Sequence, residues 1–82
     1  MDIAVEISLY PLNQDYIPPI QGFIDRLNAE PRVKVVTNSM STQVSGPYDA
    51  VFGLLQREVR ATMEHEPKVV FVMKVLGPLG PA

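Results

Sequence analysis

The side chains best suited to chemistry are Glu6 and the run Thr37-Asn38-Ser39-Met40-Ser41-Thr42-Gln43-Val44-Ser45, which holds most of the chain's hydroxyls and amides. A strand inside a small domain normally carries Val, Ile or Phe, because burial of apolar area drives folding. Buried hydroxyls and amides must be hydrogen-bonded, and each one left unsatisfied costs about 1–3 kcal/mol. Such a run either faces water on one side or meets a polar ligand. Glu6, the only carboxylate in the middle of a strand pattern, has two similar readings. It pairs with Lys74 if the first and last strands are neighbours, or it accepts hydrogen bonds from a basic or amino-bearing ligand, aided by Ser8, Ser41 and Gln43. Tyr10 and Tyr48 flank the region, where an aromatic ring either stacks on a flat ligand or fills space.

Catalysis is poorly served. A nucleophilic triad needs a base beside the hydroxyl, and the one histidine, His65, falls at a helix end away from the serines. Glu64-His65-Glu66 reads as a solvated helix end rather than a metal cluster, and no Gly-rich phosphate loop or pair of sheet carboxylates is present. The chain has no cysteine, which excludes disulfides, thiolate catalysis and Cys-based metal sites. The expectation is a binding protein with no catalytic residue, no metal and no cofactor.

At 82 residues the chain makes one domain, near the size at which a single core is just sufficient and oligomerisation often helps. Its 46% hydrophobic content allows a core, while a net charge of −2 with scattered Lys and Arg argues against a nucleic-acid footprint. Met1 is followed directly by Asp2 and an alternating pattern, without the basic and apolar regions of a secretory signal. No apolar run approaches the roughly 20 residues of a membrane-spanning helix. A soluble cytoplasmic protein is expected.

Six elements position these side chains. From Asp2 to Tyr10 a period of two puts Ile3, Val5, Ile7 and Leu9 on one face of a strand and Ala4, Glu6, Ser8 and Tyr10 on the other. Pro18 and Pro19 suit the first turn of a helix capped by Asp15 or Tyr16, with Ile17, Ile20, Phe23, Ile24 and Leu27 on its apolar stripe. Glu30-Pro31 ends it, and a second strand is expected over Arg32–Val36. Asn38-Ser39 makes a tight hairpin turn into a third strand over Met40–Ser45, with Met40, Thr42 and Val44 facing the helices. A second helix follows, capped at Ser45 or Gly46, with Val51, Leu54, Leu55, Val59, Thr62 and Met63 inward. The last strand runs from Lys68 to Leu76 and is apolar on both faces, and residues 77–82 form a flexible tail.

This order is the β-α-β-β-α-β sequence of a ferredoxin-like α+β sandwich, with an antiparallel sheet ordered 4-1-3-2 and both helices on one face. The open face then carries Glu6, Ser8 and Tyr10 beside Ser41, Gln43 and Ser45, with Val70, Val72 and Lys74 on one edge and Lys34, Val36 and Asn38 on the other. Such a face is too apolar at its edges to be left in water comfortably, which points to a second subunit over it. Three rivals exist. One is a pure assembly module without a small ligand. Another is an acylphosphatase-like enzyme, but the loop after the first strand, Pro11-Leu12-Asn13-Gln14-Asp15, is acidic and lacks the required Arg. The third is an RNA-recognition module, which would expose aromatic rings where Ser8, Ser41 and Gln43 stand.

Three segments together resemble the small thiamine-binding protein family: Val5-Glu6-Ile7-Ser8-Leu9-Tyr10-Pro11-Leu12, Thr37 to Gly46 followed by Tyr48-Asp49-Ala50, and Val70-Phe71-Val72-Met73-Lys74-Val75. The resemblance covers nearly the whole chain. It implies a ferredoxin-like fold, homo-oligomers of two or four subunits assembled through sheet faces and edges, and binding of thiamine or its hydroxymethylpyrimidine part without catalysis. An aminopyrimidine offers an amino donor and ring-nitrogen acceptors. The resemblance accordingly assigns Glu6, Ser8, Asn38, Ser41, Thr42 and Gln43 to the ligand site, with Glu6 near a protonatable ring nitrogen or the cationic thiazolium. Alternation points Thr42 toward the helices, away from the other five.

Overall fold

A computed structural model describes residues 1–80. Its elements are β1 (Asp2–Pro11), α1 (Ile17–Asn28), β2 (Lys34–Thr37), β3 (Thr42–Pro47), α2 (Tyr48–His65) and β4 (Val69–Leu76). The strands form one antiparallel sheet ordered β2-β3-β1-β4, the ferredoxin-like arrangement the sequence predicts. Alternation in β1 buries Ile3, Val5 and Ile7 with Val44 of β3 against Phe23 and Leu27 of α1 and Val51, Leu54 and Leu55 of α2. Both helices therefore cover the same face. Phe23 and Phe71 close the α1 side of this core, with ring centroids 5.2 Å apart and tilted by 57°, a favourable aromatic arrangement.

Several local expectations are corrected. The β2–β3 connection spans four residues, 38–41, rather than two, and among the described residues none other than glycine has a positive φ. Asn38 organises a longer loop: its side-chain oxygen accepts from the N–H groups of Met40 at 2.8 Å and Ser41 at 3.1 Å, and its own N–H donates to the Ser41 carbonyl at 3.1 Å. An Asx-type turn of this kind competes with strand pairing, so β3 starts at Thr42 and Met40 stands 84% exposed rather than facing the helices. Ile17 and Met63 are likewise exposed at the ends of their apolar stripes. Neither helix is capped by a side chain: Tyr16 and Pro47 hold the N-cap positions, and the Met1 carbonyl accepts the Tyr48 N–H at 2.9 Å. Of the expected tail, residues 77–80 return toward β1, where Leu79 N–H donates to the Asp2 carbonyl at 2.8 Å, and residues 81 and 82 lie outside the described residues.

Gly46 sets the exit of β3 into α2. Its φ is +153°, and a Cβ there would sit 2.9 Å from the Arg32 carbonyl oxygen and 3.4 Å from the Val33 Cα. Backbone atoms give little, so Gly46→Ala combines a glycine-only conformation with overlap and is expected to cost about 2–3 kcal/mol in urea unfolding. A loss below about 0.5 kcal/mol would show that the α1–β2 connection moves aside freely.

Two charged clusters tie the helices and loops together. Arg26 of α1 donates to Glu58 Oε1 and to Thr62 Oγ1 of α2, each at 2.7 Å. Glu30, at the α1–β2 connection, accepts from Arg32 Nε at 2.8 Å and lies 3.6 Å from Arg57 of α2. The Arg32 hydrogen bond, outweighing partial desolvation, holds the Glu30 carboxyl below the usual carboxylate range. A depressed folded-state pKa means that Glu30 contributes stability in full above its unfolded value and loses it as pH falls through the lower folded value. Glu30→Gln is expected to be less stable near neutrality, where the Glu30 contribution is present in full, and to lose stability less steeply as pH falls from the ordinary carboxylate range downward. An identical acid limb in the two proteins would show that Glu30 is not coupled to folding.

Candidate functional site

Strand lengths create the site. β1 pairs with β4 along its length to Pro11↔Val69, but its pairing with β3 stops at Ile7↔Thr42. From Ser8 onward, one side of β1 has no strand beside it. The loop held by Asn38 stands off this gap, and α1 walls it from the helix side, leaving a pocket of about 200 Å³. Ile7, Leu9, Ile20, Phe23 and Ile24 give it an apolar wall; Ser8, Tyr10, Thr37, Asn38, Ser41 and Thr42 give it hydroxyl and amide groups, with Met40 at the loop. None of these residues carries a carboxylate, imidazole or amine.

The six candidate residues divide between two places. Ser8, Asn38, Ser41 and Thr42 line the pocket. Thr42 is buried, as its alternation requires, and its hydroxyl lies 3.1 Å from the Thr37 hydroxyl. The Asn38 side-chain oxygen is taken up by the loop, which leaves its NH₂ as the group open to other partners. Glu6 and Gln43 are directly opposite each other on the open sheet face and do not line the pocket. Glu6 also faces Lys74 across the β1–β4 ladder, with Oε1 3.8 Å from Nζ, so the ion-pair reading of this carboxylate is the contact the structure contains. The pair is exposed to solvent and weak.

Thr37 joins the site from the polar run, while Ile20, Phe23 and Ile24 join it without having been singled out from sequence as site residues. Their periodicity marks Ile20, Phe23 and Ile24 as an inward stripe, and nothing in that period shows that the sheet beneath them stops short. A larger groove of about 580 Å³ lies between α2 and β4, lined by Phe52, Leu55, Val59, Met63 and Met73 with Gln56, Arg60 and Glu64 at its rim. Gln56 is the one amide in its lining and no hydroxyl joins it, so the smaller pocket is the one with several hydroxyls and amides to orient a ligand. Among the described residues no helix is long and apolar enough to cross a membrane.

Comparison with known proteins agrees with this architecture. A Streptococcus pneumoniae protein superposes with a TM-score of 0.88 at 20% identity, covering 96% of this chain and 89% of its own. A hypothetical protein of Methanocaldococcus jannascii gives 0.83 at 19% identity over 99% of this chain and 84% of that one. A Thermotoga maritima protein described as a proposed thiamine biosynthesis/salvage protein gives 0.82 at 16% identity, over 92% and 82% of the respective chains. At such identities the likeness establishes the fold. No curated protein matches the chain. The profile of the YKOF-related family, however, matches residues 2–76, from the first residue of β1 to the last of β4, and the chain belongs to that family.

Proposed function

We propose that the pocket between α1 and the β2–β3 loop binds the hydroxymethylpyrimidine ring, free or as part of thiamine, and that the protein holds this ligand without transforming it. The observation that carries the reading is the pocket itself: apolar on its α1 side, hydroxyl- and amide-bearing on its loop side, and uncharged. A flat heterocycle buries its faces against Ile20, Phe23 and Ile24 while its amino group and ring nitrogens meet polar partners. The pocket volume of about 200 Å³ is below the roughly 300–1,000 Å³ of sites for drug-sized ligands, so one ring fits inside and a thiazolium would lie outside. The thiamine-related description of the Thermotoga maritima protein supports the same ligand class. With no carboxylate, imidazole or amine in the lining, the lining itself supplies no general base for Ser8, Ser41 or Thr42.

Titration calorimetry tests this reading. Hydroxymethylpyrimidine should bind saturably below about 1 mM. Asn38→Ala, which frees the loop from two hydrogen bonds, should weaken binding by about tenfold. Glu6→Gln should leave hydroxymethylpyrimidine unaffected and reduce affinity for thiamine only. Absence of heat with either ligand at millimolar concentration would refute the reading, and equal losses for both ligands in Glu6→Gln would move the pyrimidine onto the open face.

The open sheet face supports a second element of the proposal, a homo-oligomer. Tyr10, Val36, Val70 and Val72 remain exposed there around Glu6, Gln43 and Lys74, and a second copy laid over this face would bury them. Native mass spectrometry should then show two or four subunits. Ser41→Val with Gln43→Val distinguishes a pure assembly module, in which it strengthens the oligomer and affects no ligand, from a binding protein, in which Ser41→Val lowers affinity.

A further inference from the structure

The main chain of β1 has a hydrogen-bonding position left open inside the pocket, and the ladder identifies the residue. Pro11 has no N–H, and Leu12 N–H donates to the Lys68 carbonyl at 3.1 Å. Pro11↔Val69 is thus a non-hydrogen-bonded pair, and Tyr10↔Val70 beside it is a hydrogen-bonded one. Because this alternates along an antiparallel ladder, Tyr10, Ser8 and Glu6 direct their main-chain groups to β4, while Leu9, Ile7 and Val5 direct theirs to the β3 side. Independent support comes from the other side of β3. Asn38 N–H donates to the Ser41 carbonyl at 3.1 Å, which makes Thr37↔Thr42 non-hydrogen-bonded and turns the main-chain groups of Thr42 toward its other partner, Ile7. Val5 and Ile7 have Val44 and Thr42 opposite them. Leu9 has no strand residue on that side, and among the described residues no loop or side-chain group bonds its N–H or C=O.

We infer that the N–H and C=O of Leu9 are the groups that read the hydrogen-bonding edge of the ligand: the ring amino group donates to the Leu9 carbonyl, and the neighbouring ring nitrogen accepts from the Leu9 N–H. This inference rests on the pyrimidine reading given above and specifies how the ring is recognised. A hydrogen-bonded strand pair uses the donor and acceptor of one residue together, and an aminopyrimidine presents the complementary donor and acceptor side by side. With no protein partner, the N–H and C=O of Leu9 are left to water in the free protein, so Leu9 is open to any partner that fits the pocket. An added peptide strand fits less well, because the next β3-facing position is Pro11, which has no N–H to offer. The ligand class that follows is a single uncharged ring with an amino group next to an unprotonated ring nitrogen. Recognition by main chain also makes the key contact insensitive to which side chains stand on the loop.

Hydrogen exchange measured by NMR on the ¹⁵N-labelled full chain, with and without saturating hydroxymethylpyrimidine, tests the inference. The Leu9 amide should exchange fast in the free protein and slow by at least about tenfold on binding, relative to Ile7, which is already in the ladder. The analogue lacking the amino group should bind at least about tenfold more weakly. If hydroxymethylpyrimidine binds while Leu9 exchange stays unchanged relative to Ile7, the main-chain contact is wrong and the pyrimidine reading survives. If hydroxymethylpyrimidine does not bind, both are wrong.

Discussion

Phe23→Ala is expected to lower the free energy of unfolding by about 3–5 kcal/mol, as read from the urea midpoint at constant slope. Phe23 is buried among Leu27, Leu54 and the strand residues, and its ring meets Phe71 at 5.2 Å. Truncation removes apolar contact and the aromatic pair, and it opens the floor of the adjoining pocket, which the side chain lines. A domain of this size has a total stability of about 4–12 kcal/mol at ordinary values per residue, so the variant loses a quarter of its stability or more. A change below about 1 kcal/mol would mean that the α1 side of the core collapses to fill the gap, contrary to the close packing on which the pocket's shape depends.

The second large effect concerns binding. Ile20 lines the pocket from α1 and is only half-buried. Ile20→Trp therefore places a large ring into the cavity rather than into the core. Affinity for hydroxymethylpyrimidine is expected to fall by about 100-fold or more, equivalent to roughly 2.7 kcal/mol, with unfolding stability changed by less than about 1 kcal/mol. Retained affinity in a folded Ile20→Trp protein would place the ligand elsewhere. The two variants separate the two roles of α1: Phe23 fastens it to the sheet, while Ile20 shapes the cavity between them.

The two substitutions also show which parts of the molecule are legible in sequence. The core follows directly from alternation in β1 and the 3.6-residue period of the helices, because Ile3, Val5, Ile7, Phe23, Leu27, Val51 and Leu54 all point where those periods send them. Strand order and the Glu6–Lys74 juxtaposition follow from the connection pattern. The pocket is different in kind. It exists because β1 outruns β3, and that mismatch depends on Asn38 spending its side-chain oxygen on the N–H groups of Met40 and Ser41. Extending the period of two back to Met40 hides the gap, since Ser and Thr are equally acceptable in an exposed strand and in a loop. For the same reason a polar side-chain cluster is visible in the sequence while the open main-chain position at Leu9 is not: periodicity reports where side chains point, and backbone pairing depends on the neighbouring strand's length. Gln43 and Glu6 illustrate the converse. Register puts them side by side, yet a shared sheet face does not make a cavity.

The most direct test of the central claim is a crystal structure of the protein grown with hydroxymethylpyrimidine. The ring should lie between Ile20, Phe23 and Ile24 on one side and Ser41 and Thr42 on the other, with its amino edge toward β1. A ring found beside Glu6 and Gln43 on the sheet face, or this pocket empty at saturating ligand, would contradict the assignment.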